Sequence, residues 1–328
     1  MSRVLSGMRP TGPLHLGHLL GALENWIHLQ NTHECFFMVA DLHALMGEYE
    51  DPREIEKNSI AMVIDWLASG IDPEKSTIFI QSQIPEHAEL ALILGMLTPL
   101  GWLERNPTYK EQLREIKGRD LTTYGFLGYP VLQAADILLY KADQVPVGED
   151  QLAHLELARE IVRRFKRLYK KDFFPEPTAL LTKEARILGT DRRKMSKSYG
   201  NAIHLSDAPE AARKKVQSMI TDPARVKASD PGHPDACNVY SYYKIFSDDA
   251  EVKAVYDWCA GAKKGCTDCK KTFAEILVET LKPIHERRAK IAADPAFVGK
   301  ILKKGRARAE AVARETMGQV KELLHLAK

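Results

Sequence analysis

Residues 35–40 read Cys-Phe-Phe-Met-Val-Ala, an apolar run unbroken by any polar residue. A strand that faces water on one side alternates, so such a run marks a strand buried on both faces, as in a parallel sheet. Ser76–Gln81 (STIFIQ) is a second candidate strand and Arg3–Gly7 a third. Parallel neighbours need long crossovers, usually helical. The sequence supplies them. Leu19, Leu20, Leu23, Trp26 and Ile27 recur at helical spacing, and Arg53–Ser69 has helical periodicity that stops at Gly70. Gln144–Val147, Gly148 and Glu149–Tyr169 repeat the theme as strand, turn and long amphipathic helix. The fold class expected is α/β, a doubly wound parallel (Rossmann-like) sheet with its binding loops at the carboxyl edge.

Thr182–Gly200 is polar, basic and glycine-punctuated, and reads as a mobile loop. Beyond it Pro209–Met219, Asp249–Ala260, Lys270–Ala293 and Arg308–Leu326 look helical, so a smaller α-helical domain is expected to follow the sheet. The expected divisions are 1–186 for the sheet domain, 187–204 for the loop and 205–328 for the helical region, which 328 residues can accommodate. A net charge of +3 is too small to announce a nucleic-acid binder, so any RNA contact has to be a local basic patch. No window approaches the apolar length of a membrane span, and the first twenty residues carry glycines and prolines where a signal peptide needs an apolar core; a cytoplasmic protein is expected.

The loop after the first strand holds Gly12 and Gly17, which let backbone approach a ligand, and a helix beginning near Gly17 would aim its amides there. His15 and His18 add ring N–H donors suited to phosphate oxygens. His15-Leu16-Gly17-His18 alone is equally well read as two surface histidines. Lys194-Met195-Ser196-Lys197-Ser198 is more specific, because a given five-residue string falls by chance in about one chain in ten thousand of this length. Its lysines suit a loop that neutralises charge on a pyrophosphate leaving group.

Together the two segments resemble the paired signatures of class I aminoacyl-tRNA synthetases. The whole chain, and especially Tyr129–Gln151 (YPVLQAADILLYKADQVPVGEDQ), resembles the bacterial tryptophanyl-tRNA synthetase family. The resemblance implies ATP-dependent activation of L-tryptophan to tryptophanyl-AMP, with magnesium and release of pyrophosphate, then transfer to tRNA(Trp) by a homodimer. Tyrosyl-tRNA synthetase and a tRNA-independent nucleotidyltransferase are the competing readings. The resemblance makes His15, His18, Lys194 and Lys197 catalytic. It assigns ATP to Arg9, Pro10, Thr11, Gly17, His18, Gly148, Glu149, Asp150, Ile187 and the Lys194, Met195, Ser196, Lys197, Ser198 run, with Lys110 a weaker phosphate contact. Tryptophan falls to Asp136, His43, Tyr129 and Gln151, the last two near the substrate ammonium. An indole N–H is a donor only, and a fixed carboxylate such as Asp136 is its natural partner. Arg9 and Gln133 depart from the commonest residues of the family, glutamine and methionine.

Cys237, Cys259, Cys266 and Cys269 cluster late in the chain, with only Cys35 elsewhere. Four thiolates suit structural zinc or an iron–sulfur centre, and free core cysteines are the third reading. The arrangement resembles the subset of the family that carries a 4Fe-4S cluster near the anticodon-binding region. Lys263, Lys264, Lys270 and Lys271 flank these cysteines as the first candidates for tRNA phosphates. Lys303, Lys304, Arg306 and Arg308 form a second basic run, and Arg163, Arg164, Lys166, Arg167, Lys170 and Lys171 a third.

Overall fold

The computed structural model describes residues 2–115, 120–181 and 187–327. Its strands are β1 (Arg3–Met8), β2 (Glu34–Val39), β3 (Ser76–Ile80), β4 (Gln144–Val147) and β5 (Thr178–Leu181). Its helices are α1 (Leu16–His18), α2 (Glu24–Leu29), α3 (Asp41–Glu48), α4 (Ile55–Ser69), α5 (Glu86–Leu97), α6 (Leu100–Glu104), α7 (Pro107–Glu115), α8 (Tyr124–Leu139), α9 (Leu152–Tyr169), α10 (Pro209–Gln217), α11 (Asn238–Phe246), α12 (Asp249–Ala260), α13 (Cys266–Ala292) and α14 (Pro295–Leu323). They belong to two compact units. The first comprises Met1–Thr11, Glu24–Lys183 and Asp294–Lys328, the second Gly12–Leu23 and Glu184–Ala293.

In the first unit five parallel strands form one sheet in the order β3-β2-β1-β4-β5. The chain starts in the middle and winds outward in both directions, which is the expected doubly wound topology. Every residue of β3 and all of β2 except Glu34 is buried, as the unbroken apolar runs require. Alternate residues serve opposite faces: Phe37 stacks on Trp26 at 4.4 Å, while Phe36 stacks on Tyr140 at 4.8 Å. Trp26 in turn meets Trp66 of α4 edge-on at 5.1 Å. Arg3 ties β1 to the segment before β4, donating from its backbone N–H to Asp143 Oδ1 at 2.8 Å and from its guanidinium to the Tyr140 carbonyl at 2.6 Å.

Strand β5 and the full extent of helix α8 were not anticipated. The second half of α8, from Pro130 to Leu139, is buried all round apart from half-buried Gln133, so it shows no one-sided stripe, and Pro130 sits inside it. Strand β5 is four residues long and only half-buried. Helix α14 begins at Pro295, well before the expected Arg308, with Asp294 capping it by accepting from the Phe297 N–H at 3.0 Å. Asp followed by Pro is a start signal that the periodicity alone did not reveal. This helix packs against β3 through Gly305, where a Cβ would lie 1.7 Å from the Ile78 carbonyl oxygen. It groups with the sheet, whereas the linear division expected it with the helical region.

The second unit is helical. Phe273 of α13 sits between Tyr242 and Tyr243 of α11, with centroids 5.6 and 5.0 Å away. Gly12–Leu23 joins this unit: the Leu205 N–H donates to the Leu14 carbonyl at 2.9 Å and the Leu16 N–H to the Ile203 carbonyl at 3.1 Å. His15 and His204 thereby face each other in an antiparallel bridge. Residues 182–186 of the expected mobile loop lie outside the described residues, and the rest is folded around local turns. Among the described residues no helix is long and apolar enough to cross a membrane.

Candidate active site

In the first unit the carboxylate of Asp136 is 2 % exposed and receives three side-chain bonds. Gln81, just past β3, donates from Nε2 to Oδ1 at 2.8 Å. His87, in the first turn of α5, meets Oδ1 through Nδ1 at 2.6 Å, and His43 of α3 meets Oδ2 through Nε2 at 2.8 Å. Burial pushes the Asp136 pKa up, but the bonds from His43 and His87 outweigh it and hold it below the usual carboxylate value. Asp136 is therefore an anion held by the protein. An ionised carboxylate offers about four lone-pair sites, so three donors leave room for one more. His87 is held from its far side by the Tyr140 hydroxyl, 2.8 Å from Nε2, and Gln81 Oε1 is buried without a partner. The sequence reading named Asp136 and His43 but not Gln81, His87 or Tyr140.

Nearby in sequence and on the same unit, Tyr129 and Gln151 converge on a residue the sequence reading also missed. The Tyr129 hydroxyl lies 2.6 Å from His154 Nε2, and His154 Nδ1 lies 3.0 Å from Gln151 Oε1. Gln151 Nε2 donates to Asp150 Oδ2 at 2.9 Å. Tyr129 also meets His43 edge-on at 6.3 Å. Glu149 and Asp150 lie exposed on the short 3-10 turn after Gly148, at the carboxyl end of β4. Arg9 and Thr11 are exposed and Pro10 buried in the turn after β1, and Lys110 is exposed on α7.

In the second unit the two histidines cap their own helix. His15 Nδ1 accepts from the Gly17 N–H at 3.1 Å, and His18 Nδ1 accepts from the His15 N–H at 3.1 Å. The amides of Leu16, His18 and Leu19 go to the Ile203 and His15 carbonyls. The expected row of helix amides aimed at phosphate is thus already used, and what the segment presents instead is side-chain chemistry. With both Nδ1 atoms accepting, both rings carry their proton on Nε2, and each offers one N–H donor. Burial, with Lys197 adding to it, lowers the His15 pKa to about 4; burial and the neighbouring His15 lower His18 to about 2. Both rings are neutral donors near neutral pH. Gly17 makes the cap possible, since a Cβ there would sit 3.0 Å from the His15 ring.

The lysine segment lies on the same unit. Met195 is buried and its N–H donates to the Ile187 carbonyl at 3.3 Å, while the Ser196 N–H is held by Asn201 Oδ1 at 2.9 Å. Lys197 Nζ donates to the Gly12 carbonyl at 2.7 Å, which joins the two signature segments. Lys194 is exposed, Ile187 is buried beside Gly17, and the Ser198 side chain lies outside the described residues.

All four late cysteines line one pocket, together with Arg225 and Trp258. The Arg225 guanidinium lies 3.9 Å from Cys266 Sγ. Burial, reinforced by the other thiols, pushes Cys269 up to about 11 and Cys259 upward. Among the described residues no three His, Cys, Asp or Glu form a group that could hold a metal ion. Of the flanking lysines, Lys264 lies over the Trp258 ring at 4.1 Å and Lys270 donates to the Gln217 carbonyl, leaving Lys263 and Lys271 exposed. The other two basic runs are paired within the protein only in part. Lys304 binds Glu74, and Arg163 binds Glu156, Glu160 and Glu176.

The family model for class I tRNA synthetases (W and Y) matches residues 1–282. The tryptophan--tRNA ligase of Thermotoga maritima is 51 % identical over 99 % of both chains, and that of Aquifex aeolicus 43 % identical over 99 % of this chain and 100 % of its own. Among solved structures, the tryptophanyl-tRNA synthetase of Campylobacter jejuni complexed with ADP and tryptophan superposes with a TM-score of 0.91, at 33 % identity, over 99 % of this chain and 100 % of that one. A tyrosyl-tRNA synthetase from Archaeoglobus fulgidus, 21 % identical with a TM-score of 0.66, shares the fold. With relatives of this similarity along its full length, the chain belongs to the class I tRNA synthetases of the W and Y family, on the bacterial tryptophanyl branch.

Proposed function

We infer that this chain is a tryptophan–tRNA ligase that activates L-tryptophan with ATP, releases pyrophosphate and passes the tryptophanyl group to tRNA(Trp). The observation that carries the substrate is the buried Asp136 anion, with three protein donors on it and capacity for one more. A phenylalanine substrate would leave that capacity unfilled in a buried site, which is how large selectivity arises from one hydrogen bond.

The tryptophan carboxylate, already ionised, attacks the α-phosphorus, and the bond from that phosphorus to the bridging oxygen of pyrophosphate breaks. No side-chain nucleophile is required, so the residues contribute orientation and charge stabilisation. The Nε2–H groups of His15 and His18 donate to phosphate oxygens, and Lys194 and Lys197 neutralise the departing pyrophosphate. The remaining ATP residues assigned by the resemblance are Gly17, Ile187, Met195, Ser196 and Ser198, with Arg9, Pro10, Thr11, Gly148, Glu149 and Asp150. Charge on the ATP phosphates would be offset further by magnesium bound with the nucleotide. His43 positions Asp136, while Tyr129 and Gln151 receive the substrate ammonium. Pyrophosphate exchange into ATP, run across the twenty amino acids, is expected to respond to tryptophan alone; exchange driven by tyrosine, or none with tryptophan, overturns the assignment.

For the four cysteines the reading is a 4Fe-4S cluster. It is supported by all four cysteines lining one pocket, beside a guanidinium able to offset thiolate charge. A structural zinc ion would use the same four sulfurs and is the competing reading. Such a cluster would be structural, and no step of the reaction passes through it. Iron and acid-labile sulfide in anaerobically purified protein support it, and zinc without iron refutes it. Lys263 and Lys271 are the lysines of that region exposed for tRNA phosphate. A homodimer fits the exposed Leu92, Met96, Leu100 and Tyr124 of α5, α6 and α8, and sedimentation velocity tests it. A role in charging tRNA places the enzyme in the cytoplasm.

A further inference from the structure

We propose that His154 is a positioning residue that fixes the hydrogen-bond polarity of the ammonium subsite, making Tyr129 and Gln151 both acceptors toward the substrate. The inference rests on the reading of Tyr129 and Gln151 as that subsite. His154 is 1 % exposed and stands between the two residues, with one ring nitrogen on each. Gln151 meets it through Oε1, which can only accept, so the ring proton must be on Nδ1. Nε2 is then an acceptor, and the Tyr129 hydroxyl must spend its single proton on it. What remains on Tyr129 is lone pairs alone, and on Gln151 a second Oε1 lone pair beside one amide N–H. Asp150 reinforces this by taking a Gln151 amide proton, which keeps the amide from turning over.

This chain of bonds works only while the ring is neutral, since an imidazolium would present a second donor to Tyr129. Burial supplies that condition by lowering the His154 pKa to about 4. Burial likewise pushes the Tyr129 phenol up to about 12, so its proton is always available to donate. The subsite thus offers two neutral acceptor oxygens, suited to an alkylammonium and unsuited to a ligand carrying nothing at that position. His154 need not touch the substrate to impose this.

The test compares L-tryptophan with indole-3-propionate, which keeps the ring and carboxylate and lacks the ammonium. The KM and kcat for tryptophan and the inhibition constant for indole-3-propionate are measured by pyrophosphate exchange for the wild type and for His154→Phe, His154→Asn, Tyr129→Phe and Gln151→Ala. His154→Phe is expected to shrink the preference for tryptophan by roughly ten- to a hundredfold, mainly through KM, with the KM for ATP unchanged. His154→Asn, which retains a donor toward Gln151, recovers part of the preference and carries the test if the phenylalanine variant does not fold. If Tyr129→Phe and Gln151→Ala lose the preference while the His154 variants keep it, the role of His154 is refuted. If Tyr129→Phe and Gln151→Ala also keep it, the ammonium reading itself falls.

Discussion

Asp136→Asn replaces one carboxylate oxygen by an amide nitrogen in a site where every donor can be named. Oδ1 serves both Gln81 and His87, so the asparagine oxygen will stay there, and the amide nitrogen will occupy the position of Oδ2. His43 then faces a donor and has to shift its proton to accept from it. The indole N–H of tryptophan loses a charged acceptor, and if it used the Oδ2 side it now meets a donor. Bonds to charged groups contribute about 1.5–3 kcal/mol against about 1 kcal/mol for neutral ones, and an unsatisfied buried group costs about 1–3 kcal/mol. The sum is about 3 kcal/mol, or on the order of a hundredfold in kcat/KM for tryptophan. The assay is pyrophosphate exchange with tryptophan and with its benzothiophene analogue, in which sulfur replaces the indole N–H. The wild type should discriminate strongly between the two and the variant hardly at all. Equal discrimination by both proteins would refute Asp136 as the indole acceptor, whatever the absolute rates.

Three further outcomes are expected. Lys197→Met should lower the exchange kcat by roughly a hundredfold or more, as for loss of one preorganised charge-stabilising group, with the tryptophan KM little changed; a change confined to KM would contradict the assignment. His15 and His18 bind protons less readily folded than unfolded, so their contribution to stability is complete above the unfolded value of 6.5 and is lost as pH falls from there toward about 4 and about 2. Urea midpoints from pH 8 to 4 should show that decline, and it should be shallower in His15→Asn; an unchanged slope would contradict the burial assigned to the ring. Gly305→Ala places a methyl against the Ile78 carbonyl and should destabilise by about 3 kcal/mol in denaturant unfolding, whereas Gly299→Ala, with open space around it, should be neutral or stabilising by up to about 1 kcal/mol.

The parallel sheet was legible because Cys35–Ala40 and Ser76–Gln81 have no choice but double-sided burial, and helix α4 because Gly70 adopts the left-handed φ of +119° that ends it. Helix α5 and the full extent of α8 were not, since apolar residues cover most of their circumference and give no stripe to detect. At the site the split has a different origin. Asp136 declared itself as a carboxylate among apolar neighbours, while Gln81 and His87 look ordinary where they stand and acquire meaning only when the fold brings them 2.8 and 2.6 Å from it. His154 is i+3 from Gln151 on one helical turn, a spacing that could have flagged it. The histidine pair was legible as chemistry but not as geometry: sequence names the rings, and only the backbone contacts of their Nδ1 atoms say which nitrogen carries the proton.

The seat of Gly305 on Ile78 also sets a schedule. Strand β3 is an edge strand of the sheet, and α14 is the element laid on its backbone. A ribosome delivers Ile78 long before Gly305, and at ~5–20 residues per second the interval is roughly ten to forty-five seconds. For that time the nascent sheet presents an apolar edge with unpaired backbone groups, the surface through which partly made chains associate. Completing α14 closes it. Yield from a fast, crowded expression host should therefore respond to holding chaperones and lower temperature more than the stability of the finished enzyme would indicate.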